Sequence, residues 1–146
     1  MSNQNETGEK TESSTPPVRG LVPMIHVADV ERSIEFYRRL GFEVGNKVPR
    51  VGRLNWAWLY APKVADWRYG PNLMFVRSES DINQGEQKVL FYLYATHLTS
   101  LRDDLLLSGL APSEISYPEY LPRGEFSLQD PDGYCLMIAQ SGPDTP

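Results

Sequence analysis

Two histidines, one cysteine and an unusual density of aromatic side chains are what this 146-residue chain has to offer chemically. His26 stands on an apolar stretch and His97 at the start of a helical one. Neither has a second histidine near it at ligand spacing, so a two-histidine metal site is not expected. Cys135 has no base or basic partner beside it in sequence, which argues against a nucleophilic thiol. Trp56, Trp58, Trp67 and Tyr69 exceed what a small core needs; they fit stacking on a planar ligand, a subunit contact or core packing. Tyr117, Tyr120, Arg123 and Glu125 lie on one segment, and Glu125 is either a carboxylate for a cation or a solvated strand residue. That segment leads to Asp130-Pro131-Asp132-Gly133. Without the spaced acidic residues of a calcium loop this is a hairpin turn, Pro fixing φ and Gly accepting φ > 0. There is no Gly-rich phosphate loop, Ser-His-Asp arrangement or paired-cysteine motif.

The elements that must position these residues begin with Val22 to Val44. A short strand (Val22–Val27) meets Asp29, which is placed to cap a helix by accepting from free N–H groups of the first turn. Val30, Ile34, Tyr37 and Leu40 give the helix one apolar stripe, with Glu31, Arg32, Glu35 and Arg38 on the wet side. Gly41 suits the left-handed residue that ends it. Strands are expected at Phe42–Val48, Leu54–Tyr60 and Asn72–Arg77, with residues 61–70 a loop and 78–86 a polar linker. The pattern then restarts: a strand at Lys88–Ala95, Thr96 as a cap, and a helix ending at Gly109. Strands follow at Glu114–Tyr117, Glu125–Gln129 and Tyr134–Ala139. Residues 1–18 and 141–146 read as polar tails, the first of them disordered, leaving one domain over 19–140.

A formal net charge of −5 argues against a nucleic-acid partner, and no apolar run is long enough to span a bilayer. The single cysteine excludes an intrachain disulfide and suits a reducing compartment. With no secretion signal at the start, the chain is expected to be cytoplasmic.

The two halves can be laid on each other. Ala28-Asp29 matches Ala95-Thr96 and Ser33-Ile34 matches Ser100-Leu101, both with an offset of 67 residues (95 − 28 and 100 − 33). Module one spans about 20–78 and module two about 87–140. Each reads as βαβββ, which predicts a pseudo-symmetric α+β domain whose mixed sheet curls around a cleft.

The stretch VPMIHVADVERSIEFYRRLGF near the start and RGEFSLQDPDGYCLMIA near the end together resemble the vicinal oxygen chelate superfamily, over roughly residues 20–140. That superfamily includes glyoxalases, dioxygenases and bleomycin-resistance proteins. Its metal-using members place ligands at positions that correspond here to Val22, Val89 and Met137, and these side chains offer no imidazole or carboxylate. The pattern is nearest the bleomycin-resistance proteins, metal-free homodimers that sequester a large planar, cationic antibiotic in clefts between subunits. The resemblance therefore implies a homodimeric small-molecule binder without metal or other cofactor. Its candidate binding residues are His26, Asn55, Met74, Phe91, Tyr120, Glu125 and Met137. Asn55 and Ala57 are expected to face the cleft, leaving Trp56 and Trp58 to core or interface. Phe91 reads equally as cleft wall and as core. Tyr120 is the candidate to stack on the ligand. The alternatives are a superfamily enzyme with a displaced or absent metal and His26 as general base, and an interaction module that keeps the fold as scaffold.

Overall fold

The computed structural model describes residues 17–18, 20–63 and 70–143. Trp67, Tyr69 and most of the tail expected over 1–18 lie outside the described residues. Module one consists of β1 (Met24–Val27), α1 (Val30–Arg38), β2 (Glu43–Val48), β3 (Trp56–Tyr60) and β4 (Asn72–Arg77). Module two consists of β5 (Leu90–Ala95), α2 (Leu98–Leu107), β6 (Glu125–Gln129) and β7 (Cys135–Gln140). The strands form two mixed sheets, ordered β1-β4-β3-β2 and β5-β7-β6. In each, the first strand runs parallel to the last and the remaining pairs are antiparallel. The architecture is the expected α+β pair of similar modules.

Helix α1 forms as its sequence dictates. The Asp29 carboxylate accepts from Arg32 N–H at 3.1 Å, and this bond above all holds the Asp29 carboxyl below its ordinary pKa. Glu31 sits in the first turn and Arg38 in the last, each favourable to the helix dipole. Gly41 takes φ 94° just past the end. The buried face is broader than the predicted stripe, adding Ser33 and Phe36 to Val30, Ile34 and Tyr37.

Helix α2 starts differently from the expectation. Its N-cap residue is His97, with no side-chain capping bond, not Thr96. The free Leu98 N–H donates instead to Gln140 Oε1 at 2.9 Å, and Gln140 Nε2 donates to Thr96 O at 2.7 Å. An amide from the end of β7 thus replaces the local cap. Gln140→Ala is expected to cost about 1 kcal/mol, read as a lower urea midpoint. The caps and terminal glycines also correct the internal offset: Asp29 with His97 and Gly41 with Gly109 both give 68 (97 − 29 and 109 − 41).

The segment Glu114–Tyr117 is not a strand. Ser116 makes one isolated bridge with Glu125, and Ser127 N–H is taken by the Ser113 hydroxyl at 2.8 Å instead of by backbone. Pro112 and Pro118 flank the segment, and proline has no N–H to extend a ladder.

The inner faces of both sheets and both helices meet in one apolar core. Its fully enclosed members include Val27, Val30, Tyr37, Leu59, Phe75, Leu105, Phe126, Leu136 and Ile138. The Asp130–Gly133 turn of module two seats on the start of α1. Asp132 Oδ1 accepts from Ala28 N–H at 2.9 Å and Oδ2 from the Ser33 hydroxyl at 3.4 Å. Tyr37 donates to Asp130 Oδ2 at 2.8 Å, and Tyr134 donates to His26 O at 3.1 Å. No helix among the described residues is long and apolar enough to cross a membrane.

Candidate functional site

With helices and core on one side, each sheet leaves its other face open, and strand alternation decides what that face carries. In β3, Ala57 and Leu59 are fully buried in the core, while Trp56, Trp58 and Tyr60 are half-buried on the open face. This reverses the expected parity. Both sets of side chains are apolar enough for a core, and the layer beneath the sheet accepts the smaller set. Asn55 lies just before β3, exposed and in phase with Ala57, so it is not on the aromatic face. Its backbone carries the sheet instead, with Asn55 N–H bonded to Val48 O and Arg77 N–H to Asn55 O.

The open face of sheet one brings together His26, Met24, Met74, Val76 and the β3 aromatics. Met24 pairs with Met74, and His26 and Trp56 both pair with Val76. Trp58 and Tyr60 stack at 5.2 Å between centroids, 18° from parallel, and Trp58 Nε1–H donates to Asn72 Oδ1 at 2.7 Å. The indole is seated on Gly45 of β2, where an added Cβ would lie 2.2 Å from Trp58 Cζ3. His26 is exposed, and its ring makes no hydrogen bond among the described residues.

The open face of sheet two is a grid of three rows: Tyr94, Ala139 and Glu125; Tyr92, Met137 and Ser127; Leu90, Cys135 and Gln129. Phe91 belongs to the other face, packed on the core with its ring 6.2 Å from Tyr134. It therefore cannot line this surface. Met137 stands at the centre of the grid, half-buried. Glu125 is 3% exposed, and its Oε1 accepts from the Tyr120 hydroxyl at 2.8 Å. Tyr120, from the loop before β6, is itself 69% exposed. Desolvation first, then interaction with Tyr120 and Glu125, pushes the Tyr92 phenol up to about 12. The Glu125 bond likewise raises the Tyr120 pKa. Both hydroxyls therefore stay protonated at neutral pH. Tyr92, Tyr94 and Tyr60 were absent from the expected set. In LFYLYA the hydroxyl-bearing rings alternate with Phe91 and Leu93, a wet-face signal that places them.

A separate groove of about 570 Å³ runs between the end of α1 and β2, lined in part by Arg38, Phe42, Glu43 and Lys63. None of the expected site residues reaches it.

Residues 19–50 match the family model described as bleomycin resistance protein-like N-terminal. Solved structures extend the likeness over most of the chain. A bleomycin-binding protein complexed with bleomycin is 17% identical, with a TM-score of 0.66 over 86% of this chain and 100% of that one. A bleomycin resistance determinant encoded on the transposon Tn5 is also 17% identical, with a TM-score of 0.67 over 85% of this chain and 98% of that one. The chain has the fold of these bleomycin-binding proteins. An antibiotic-binding protein from Streptomyces sp. CB03234 shares that fold at 19% identity, with a TM-score of 0.63 over 88% of this chain and 99% of that one. No curated protein is similar enough in sequence to match.

In the metal-using members of this fold the ion needs imidazole and carboxylate donors. The corrected offset moves the second ligand position from Val89 to Leu90, the first residue of β5. Val22, Leu90 and Met137 supply two hydrocarbons and a thioether, so the donor set does not fit a zinc, nickel, manganese or iron ion. Among the described residues, no group of three His, Cys, Asp or Glu side chains is placed to hold an ion.

Proposed function

We propose that this chain is a metal-independent small-molecule binding protein, holding a planar ligand against the open aromatic faces of its sheets, and that it works as a homodimer. The observation that carries this reading is the chemistry of those faces. Trp56, Trp58, Tyr60, Met24 and Met74 on one sheet, and Leu90, Tyr92, Tyr94 and Met137 on the other, form broad apolar surfaces outside the core. Met24 is 51% exposed, Leu90 49% and Tyr92 39%. Contiguous exposed apolar surface of this kind marks a ligand or partner site. Stacked rings bind planar molecules, and thioethers adapt to irregular ones. A second copy of the chain would cover what the ligand leaves. The antibiotic-binding proteins of the same fold support the ligand class.

Titration with bleomycin, followed by tryptophan emission and by sedimentation, tests this. A saturable change in emission and a dimer are expected. Trp58→Ala is expected to raise the Kd about tenfold, equivalent to ~1.4 kcal/mol. A monomer whose emission responds neither to bleomycin nor to other planar aromatic ligands would refute the reading.

A further inference from the structure

We propose that the Glu125 carboxylate, roofed by Tyr120 and flanked by Tyr92, is a subsite for a planar cationic N–H donor, an amidinium or guanidinium, on the bound molecule. The proposal rests on the binding function above and names the chemistry of one end of the ligand.

Glu125 Oε2 is buried and has no hydrogen-bond partner among the described residues. Buried polar atoms are almost always satisfied, and a carboxylate oxygen is among the most demanding of them. The hydroxyl donors in its row and the next, those of Tyr94, Tyr92 and Ser127, do not bond it. Ala139, its cross-strand partner, has no donor, and Met137 has none. Nor do the nearby cations turn towards it. The Arg123 guanidinium lies over Gly142, where an added Cβ would be 2.3 Å from Nη1. Arg102 is engaged by Glu114 at 3.3 Å and by Ser113 O at 2.7 Å. Among the described residues, Oε2 is therefore left to a donor from outside the chain.

What surrounds the carboxylate selects a flat cation. Tyr92 and Tyr94 stack at 6.3 Å, 25° from parallel, on the same face, and the negative faces of such rings attract cations. Tyr120 holds Oε1 with one neutral hydroxyl from an exposed loop position. A planar amidinium or guanidinium presents two parallel N–H groups. It would bond Oε2 and displace the Tyr120 hydroxyl from Oε1, exchanging one neutral bond for a bidentate charged pair. Freed, the Tyr120 ring can close over the bound group.

Benzamidine and its neutral isostere benzamide, titrated into the intact protein by calorimetry, test this without any variant. Benzamidine is expected to bind at least tenfold more tightly than benzamide. Glu125→Gln, which keeps an oxygen for Tyr120, is expected to abolish that preference. Equal binding of the two probes by the unaltered protein overturns the proposal, as does a preference that survives Glu125→Gln. If bleomycin still binds in a Trp58-dependent manner while benzamidine shows no preference, the cation subsite alone is lost. If neither bleomycin nor any other planar aromatic ligand binds, the binding reading falls with it.

Discussion

Asp132→Ala is expected to remove about 3–4 kcal/mol of folding stability, a large share of the roughly 5–15 kcal/mol that holds a domain together. Asp132 is 1% exposed. It takes the Ala28 N–H and the Ser33 hydroxyl at the start of α1, and Arg32 Nη2 lies 3.9 Å from Oδ1. An anion is favoured at a helix start, where backbone N–H groups converge. Truncation leaves the Ala28 N–H and the enclosed Ser33 hydroxyl without their acceptor, and an unmet buried donor costs more than the bond it replaced. Asp132→Asn keeps one carbonyl oxygen and should lose roughly half as much. Urea unfolding with an unchanged m-value measures both. A truncation cost below ~1 kcal/mol would mean that the turn does not anchor the modules.

Tyr37→Phe is expected to cost about 2 kcal/mol at neutral pH, and the cost should shrink in acid. The Tyr37 ring is enclosed by Phe36, Phe42 and Phe75, so the substitution keeps the packing and removes the hydroxyl alone. That hydroxyl donates to Asp130, whose carboxyl is pushed above its ordinary 3.8, chiefly by burial, while the Tyr37 bond pulls it down. A carboxyl raised by folding is a burden when ionised, and the burden lifts as pH falls through the folded-state pKa towards 3.8. Without Tyr37 the pKa rises further, so the variant starts to recover at a higher pH than its parent. The gap in urea midpoints should therefore narrow from neutral to mildly acidic pH. A gap that stays constant would show that the hydroxyl does not stabilise the charged carboxylate.

How legible these features were depended on how far apart in sequence their partners lie. The β1-α1-β2 start was readable because cap, stripe and terminal glycine sit within one short stretch. The Asp130–Gly133 turn was readable as a turn for the same reason. Its role as an anchor was not, since Asp132 meets Ser33 across 99 residues. Thr96 looked like a cap because the rival, Gln140, comes from the far end of β7. The face of β3 was illegible for another reason. Ala57 and Leu59 alternate with Trp56, Trp58 and Tyr60, so no polar phase marks the outside. Glu125 was visible as a possible cation partner, but its burial depends on Tyr120 and Tyr92 folding over it.

The connection between the modules bears on how two copies of the chain can associate. Gln84 Nε2 donates to Pro131 O at 3.1 Å, and Gln87 Nε2 donates to Asp132 O at 3.4 Å. Gly133 lies so close beneath Gln84 that an added Cβ would come within 2.6 Å of its carbonyl oxygen. The linker is thus stitched to the turn that it leads towards, and the turn is stitched to α1 of the same chain. Trading a whole module between neighbours would require both seams to be opened and remade in trans. A pair of chains that instead meets through the open sheet faces keeps every seam closed, so it can assemble from finished monomers without passing through a partly unfolded state.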